Sequence, residues 1–275
     1  MAENEKEGKV WIPGGNSGVI LKGIPYSNKG GSCIRKIMLR NAGVKEPIDF
    51  KSKITFGVGN AIESLYAEYL KEQGHQVEVS VRCSSDITDT QIYLDETDMV
   101  VDGVPCEIKS VVSTNKLKEV MVDDGAPVWD NVIQAAHHMI QFKAFKGKLI
   151  YICGCWHSFE KSKVKYKFKS GDIKEFILTF DKATGELQVN GKPYYVKAKD
   201  LLQWRKWAGA FVEAKDLDAA LPTHPGLLMG EKRPPDFQDS VCRWCYWSPA
   251  CQHASNYEDF IALAKDLVNI MKGQK

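Results

Sequence analysis

Apolar residues recur along this chain with two periods, and the switches between them lay out a succession of helices and strands. Cys33 to Ala42 reads as a short basic helix with Ile34, Ile37 and Met38 on one side. From Gly59 to about Gln73, Ile62, Leu65, Tyr66, Tyr69 and Leu70 form a helical stripe that Gly74 ends. Val77, Val79 and Val81 then alternate as a strand does. After the turn-rich stretch Ser84 to Thr90, a hairpin is predicted over Thr97 to Val111, folded at Asp102-Gly103. Trp129 to Phe145 is predicted helical, Leu149 to Cys155 an apolar strand, Lys161 to Lys169 a basic strand and Glu175 to Val189 a second hairpin. A helix near Leu201 to Ala214, a proline-punctuated loop from Pro222 to Pro235, a cysteine cluster and a last helix, Tyr257 to Met271, complete the pattern. There is no internal repeat. This order predicts an α/β core with a mixed sheet.

Composition narrows the class. With 275 residues and 44% hydrophobic content the chain can bury a full core, which excludes disorder and low complexity. Its longest strongly apolar run, Leu149 to Trp156, falls far short of the ~20 residues a membrane span needs, so no membrane association is expected. Met1 to Gly8 is charged with no apolar stretch behind it, which predicts no signal peptide and a cytoplasmic location. In that compartment eight cysteines point to metal rather than disulfides. Net charge is only +2, but residues 146–206 carry 14 Lys and Arg against 6 Asp and Glu. A basic segment beside an acidic remainder suits one surface for phosphate and another for cations; a solvated strand face is the plainer alternative.

The most informative stretch is Asp98 to Lys109. If Asp102-Gly103 is a two-residue turn, Val101 opposes Val104, Val100 Pro105, Met99 Cys106, and Asp98 Glu107. Opposed residues share a face with Cβ atoms roughly 4.5–5.5 Å apart, so two carboxylates there repel unless a cation lies between them. Lys109 points to the same side as Glu107, while Met99, Val101, Cys106 and Ile108 are expected to pack inward. Asp, Glu and Lys gathered in this way suit metal-assisted phosphodiester hydrolysis. The bland alternative is an exposed hairpin with ordinary surface charges.

Two helices add to the picture. Glu63 lies on or beside the apolar stripe of its helix, where a carboxylate needs a partner such as a shared metal. Gln134 and His138 are four apart and can reach one cleft; His137 and His138 are otherwise read as satisfied or solvated histidines. Near the C-terminus, Cys242-x2-Cys245-x5-Cys251 has metal-ligand spacing. The fourth ligand is either His253, giving zinc, or the distant Cys33, giving a four-cysteine site open to zinc or an iron–sulphur cluster. Cys83, Cys106, Cys153 and Cys155 read as core residues on strands.

Taken in order, Cys33-x-Arg35, Gly59-x3-Glu63, Asp98, Glu107-x-Lys109, Gln134-x3-His138 and the C-terminal cysteines resemble the RecB-like PD-(D/E)XK nucleases. The pattern is most similar to their iron–sulphur branch, which holds CRISPR-associated exonucleases, AddB-type domains and phage relatives. The resemblance implies a restriction-endonuclease-like core with a central mixed sheet flanked by helices, and a cysteine-ligated cluster joining the N- and C-terminal segments. It implies Asp98, Glu107 and the Ile108 carbonyl as ligands of Mg²⁺ or Mn²⁺, Glu63 near the metal and Lys109 as the catalytic lysine. Gln134 opens the family's helix motif, with His138 where tyrosine is usual. Cys33, Cys242, Cys245 and Cys251 would bind a 4Fe-4S cluster, with zinc and His253 as the alternative.

The expected division is a polar arm (1–31), a helical segment (32–56), a nuclease core (57–215) and a C-terminal cysteine segment (216–275). Arg35 and the row Lys161, Lys163, Lys165, Lys167 and Lys169, at ~6.7 Å steps on one strand face, are expected to contact single-stranded DNA. The expected activity is a metal-dependent DNA exonuclease of a bacterial cell or phage-infected host. A helicase, recombinase or CRISPR integrase is its expected partner, since the chain has no phosphate-binding G-x4-G-K-[ST] loop. The alternatives are a DNA-end-binding adaptor with the same fold and a zinc-stabilised structural protein.

Overall fold

The Asp102-Gly103 turn forms with both residues at positive φ, 50° and 80°, as a two-residue type I′ hairpin requires. In this computed structural model, which describes residues 18–21, 34–45, 47–48, 50–86, 91–161, 163–215, 217 and 245–273, the turn joins β3 (Gln91–Val101) to β4 (Val104–Val111). The register is the expected one, with Val101 opposite Val104, Val100 opposite Pro105 and Met99 opposite Cys106. The Asp102 carboxylate accepts from the Gln76 N–H at 2.9 Å and lies 2.6 Å from His75 Nδ1, which pins the hairpin tip.

The described residues divide into two units. The sheet unit holds the described residues within 48–83 and 96–198, and the terminal unit holds those within 1–47, 84–95 and 199–275. Residues 199–215 group with the terminal unit.

In the sheet unit, β4 pairs in parallel with β5 (Lys146–Cys153), and β5 pairs antiparallel with β8 (Ile173–Phe180). β9 (Glu186–Val189) and β10 (Lys192–Lys197) continue the sheet antiparallel, and β2 (Val77–Asp86) pairs with β3. The result is a mixed, mostly antiparallel sheet flanked by helices. β6 (His157–Lys161) and β7 (Val164–Phe168) form a separate two-stranded ribbon. The basic segment is therefore not one strand, because its chain reverses between Lys161 and Val164.

One face of the sheet is covered by α2 (Phe50–Glu72), whose Tyr66, Ala67 and Leu70 pack with Met99, Val101, Cys106, Ile108, Ile150 and Ile152. The helix begins nine residues before Gly59. Its early turns carry Phe50, Ile54 and Phe56 to solvent, so no apolar stripe announces them. Leu65 and Tyr69, expected in the buried stripe, are exposed; the buried line runs through Tyr66, Ala67 and Leu70.

After β4 come α3 (Thr114–Lys116) and a π-helical turn, Leu117–Met121. α4 (Trp129–Gln141) then lies against β4 and β5. Tyr151 Oη on β5 accepts from the Val128 N–H at 3.0 Å and Asn131 Nδ2 at 2.9 Å, fixing the start of α4. Gly147 fixes how closely it approaches: a Cβ there would fall 2.6 Å from Met139 Cγ.

In the terminal unit, β1 (Gly18–Leu21) pairs antiparallel with Gln91–Leu94. α1 (Ile34–Asn41) buries Ile37, Met38 and Leu39 in a core with Trp247, Ala250, Phe260, Ile261 and Ala264. These partners come from α6 (Ser248–His253), the residue before it, and α7 (Tyr257–Gly273); α5 (Ala198–Ala214) adds Val212. Among the described residues no helix is long and apolar enough to cross a membrane.

Candidate active site

Glu107 is the centre of the site. It sits on β4, 1% exposed, although the sequence reading places it on a presented face. The difference has a plain cause: α4 covers that face as α2 covers the other. Burying a carboxylate costs several kcal/mol unless it is paired, and Glu107 is paired twice. Lys109 Nζ donates to Oε1, and His138 Nε2 lies 2.7 Å from Oε2. The sequence puts His138 and Gln134 on one helix face; the structure sets His138 in a buried contact with Glu107.

Asp98, on β3, has a partner of its own: its Oδ2 accepts the Ile108 N–H of β4 at 2.6 Å, next to Glu107. Burial, and then the neighbouring Glu107 charge, push the Asp98 carboxyl from its ordinary 3.8 up to about 7. Glu63 on α2 is half-buried and close enough that its charge pushes Asp98 the same way. Burial disfavours the Lys109 ammonium, yet Glu107 and Asp98 outweigh it and hold that group well above the usual lysine range. Lys109 is therefore a fixed positive charge. It is not poised as a base.

The carboxylates Asp98, Glu107 and Glu63 are met here by Lys109, and Asp98 is raised by burial first and by the Glu107 and Glu63 charges after it. A divalent cation here would draw on oxygen donors, and those the sequence leads one to expect are Asp98, Glu107 and the Ile108 carbonyl. No three His, Cys, Asp or Glu side chains among the described residues already form a metal cage. Glu107 is held by protein donors on both oxygens, so it must exchange one of them to ligate a metal. Gln134, one helical turn before His138 on α4, is half-buried.

Other expected residues are placed elsewhere. Arg35 is only 9% exposed and donates to the carbonyls of Cys251 (3.1 Å) and Leu217 (3.0 Å), which removes it from the expected DNA contacts. The five-lysine row is broken. Lys161 ends β6, Lys163 occupies the turn at φ 67°, and only Lys165 and Lys167 lie on β7, with Lys169 just beyond it. Lys161 Nζ meets Asp124 Oδ1 at 3.3 Å and the Lys118 carbonyl at 3.4 Å. On β7, Lys165 and Lys167 are exposed, and the intervening Tyr166 packs with Phe159 and Phe168.

Of the expected cluster ligands, Cys33 and Cys242 lie outside the described residues. Cys245 and Cys251 are half-buried against the core that α1 shares with α6 and α7. The Arg35–Cys251 hydrogen bond brings the start of α1, two residues after Cys33, against the C-terminal cysteine segment. His253 is exposed on α6.

Cys83, Cys106 and Cys153 are on strands, but Cys155 is past the end of β5 and half-exposed. The sequence reading missed its partner, His157. The signal was the Cys-x-His spacing, which puts two chemically active side chains on one side of an extended segment.

No protein-family description matches the chain, and no curated protein matches it. Among solved structures, one described as the crystal structure of SSO0001 aligns over 79% of this chain and 80% of its own, at 15% identity and a TM-score of 0.38. A likeness that weak carries no inference about fold or activity.

Proposed function

We propose that this chain is a metal-dependent deoxyribonuclease, acting by preference on single-stranded DNA ends. The observation that supports it is the gathering of Asp98, Glu107 and Lys109 on one covered sheet face, with His138 from α4 bonded to Glu107.

Asp98, Glu107 and the Ile108 carbonyl would hold Mg²⁺ or Mn²⁺, with Glu63 beside them. Bound there, the cation supplies Lewis acidity to a phosphoryl oxygen and lowers the pKa of a coordinated water. Lys109 stays protonated under the influence of Glu107 and Asp98, so its part is electrostatic. It steadies the negative charge that grows on the phosphate and can orient the attacking water by donating to it. His138 holds the Glu107 carboxylate in one orientation. The iron–sulphur cluster on Cys33, Cys242, Cys245 and Cys251 belongs to this reading as a structural clasp, with zinc as its alternative. Lys165 and Lys167 are the exposed cations it offers to a DNA backbone.

A second reading has its own support. Both Glu107 oxygens are taken by Lys109 and His138, as in a site whose metal position is closed. The chain would then hold DNA ends for a recombinase or integrase without cutting them. Incubation with end-labelled linear and closed-circular single-stranded DNA, with and without Mn²⁺, separates the readings. Metal-dependent loss of the linear form alone is the expected result for an exonuclease. Cutting of circles would make it an endonuclease, and binding without loss of either form would favour the adaptor.

A further inference from the structure

Past the carboxyl end of β5, beside the end of its parallel neighbour β4, the chain places a thiol, an imidazole and a hydroxyl in line. Cys155 Sγ lies 3.0 Å from His157 Nε2, and His157 Nδ1 lies 3.1 Å from Thr114 Oγ1. The Gly154 N–H donates to the Val111 carbonyl at 2.9 Å, which fixes the link that carries Cys155. The Val112 carbonyl oxygen is 3.5 Å from Sγ and 3.4 Å from Nε2.

We propose that Cys155 is a histidine-activated thiol, a site at which small hydroperoxides form a sulfenic acid. The idea is independent of the phosphodiester reading. In the tautomer that carries its proton on Nδ1, that N–H donates to the Thr114 oxygen and Nε2 is the acceptor that faces the S–H. Transfer of that proton gives a thiolate beside an imidazolium, and the Val112 carbonyl accepts from the Nε2–H so formed. The thiolate sulfur then attacks one peroxide oxygen. The S–O bond forms as the O–O bond breaks, sulfur is oxidised and the peroxide is reduced. The departing hydroxide, or alkoxide from an alkyl hydroperoxide, takes the imidazolium proton and leaves as water or the alcohol.

Access and contrast both favour this position. Cys155 and His157 are half-exposed, beside the exposed Trp156, so a small oxidant can reach the sulfur. Cys106 and Cys153 are buried, and burial pushes their thiols up, that of Cys106 to about 12, which keeps them unreactive. Cys83, half-exposed on β2, is the internal comparison.

The test is the rate at which each thiol of the full chain is tagged by dimedone under limiting hydrogen peroxide at neutral pH. Peptide mapping keeps Cys155 apart from the C-terminal cysteines. With the His157 imidazole 3.0 Å from its sulfur, Cys155 is expected to tag about tenfold faster than Cys83. His157→Ala is expected to remove that advantage, and Thr114→Val to reduce it several-fold while leaving His157 in place. Should His157→Ala melt early, Thr114→Val decides alone. Tagging of Cys155 no faster than Cys83, or a rate unchanged in the folded variants, would overturn the proposal.

Discussion

His138 Nε2 and Glu107 Oε2 lie 2.7 Å apart with both side chains almost wholly out of solvent. The pair joins α4 to β4 at the point where the candidate chemistry is concentrated, and it makes the helix part of the site. Removing His138 leaves one buried Glu107 oxygen without its donor. His138→Ala is expected to lower the stability of the chain by about 3 kcal/mol. His138→Gln, which keeps an N–H for the carboxylate, should recover about half of that loss. Urea denaturation at pH 7 measures both, and equal stabilities for wild type and His138→Ala would contradict the pairing.

Asp98 gives a prediction with a defined sign. Its carboxyl is pushed up from 3.8 to about 7 in the folded chain, so between those values the folded state binds the extra proton. Stability therefore falls as pH rises from about 4 to about 7, by at most about 1.4 kcal/mol for each pH unit crossed. Asp98→Asn keeps an oxygen for the Ile108 N–H and removes the charge. In metal-free buffer it is expected to raise the melting temperature at pH 8 and leave it almost unchanged at pH 4. Added Mn²⁺ should stabilise the wild type at pH 8 and not the variant. A variant that melts below the wild type at pH 8 without metal would count against the site as described.

The hairpin was the most legible part of the chain. Asp-Gly between alternating apolar residues specifies a type I′ turn, and the turn fixes the register that brings Asp98 and Glu107 together. Which faces are covered was less legible. Cys106 and Ile108 pack against α2 while Glu107 meets α4, so a carboxylate read as presented is buried by a helix distant in sequence. Spacing marked Gln134 and His138 as neighbours on one helix face but could not name Glu107 as the partner. The start of α2 was hidden because its first turns bury nothing. The lysine row failed for a local reason: Lys163 adopts a positive φ in a turn that contains no glycine or proline to signal it. Arg35 read as a cation for phosphate, whereas its fork serves two backbone carbonyls that only the folded terminal unit brings near.

That use of Arg35 is testable. Arg35→Ala leaves the Cys251 and Leu217 carbonyls without their charged donor, at an expected cost of about 2 kcal/mol. If the ends of the chain are clasped by a metal cluster, the variant should also retain less iron after anaerobic purification. Iron and zinc analysis of both proteins reads this directly. Zinc without iron in the wild type would replace the iron–sulphur assignment with the zinc alternative.

Lys165 and Lys167 are the exposed pair on β7, and they define a modest electrostatic contribution. The double substitution Lys165→Ser, Lys167→Ser is expected to reduce the slope of log affinity against log salt for single-stranded DNA by about 1.4, the loss of two phosphate contacts. Fluorescence anisotropy across a salt series measures it. An unchanged slope would place the DNA path away from the β6–β7 ribbon.

The central claim is that Lys109 and its carboxylate neighbours perform phosphodiester hydrolysis. The most direct measurement is Mn²⁺-dependent digestion of end-labelled linear single-stranded DNA by the wild type and Lys109→Ala, with DNA binding recorded on the same samples. Digestion by the wild type and a rate about 100-fold lower in the variant are expected, with binding little changed. Equal digestion by both proteins, or tight binding with no digestion by the wild type, would contradict it.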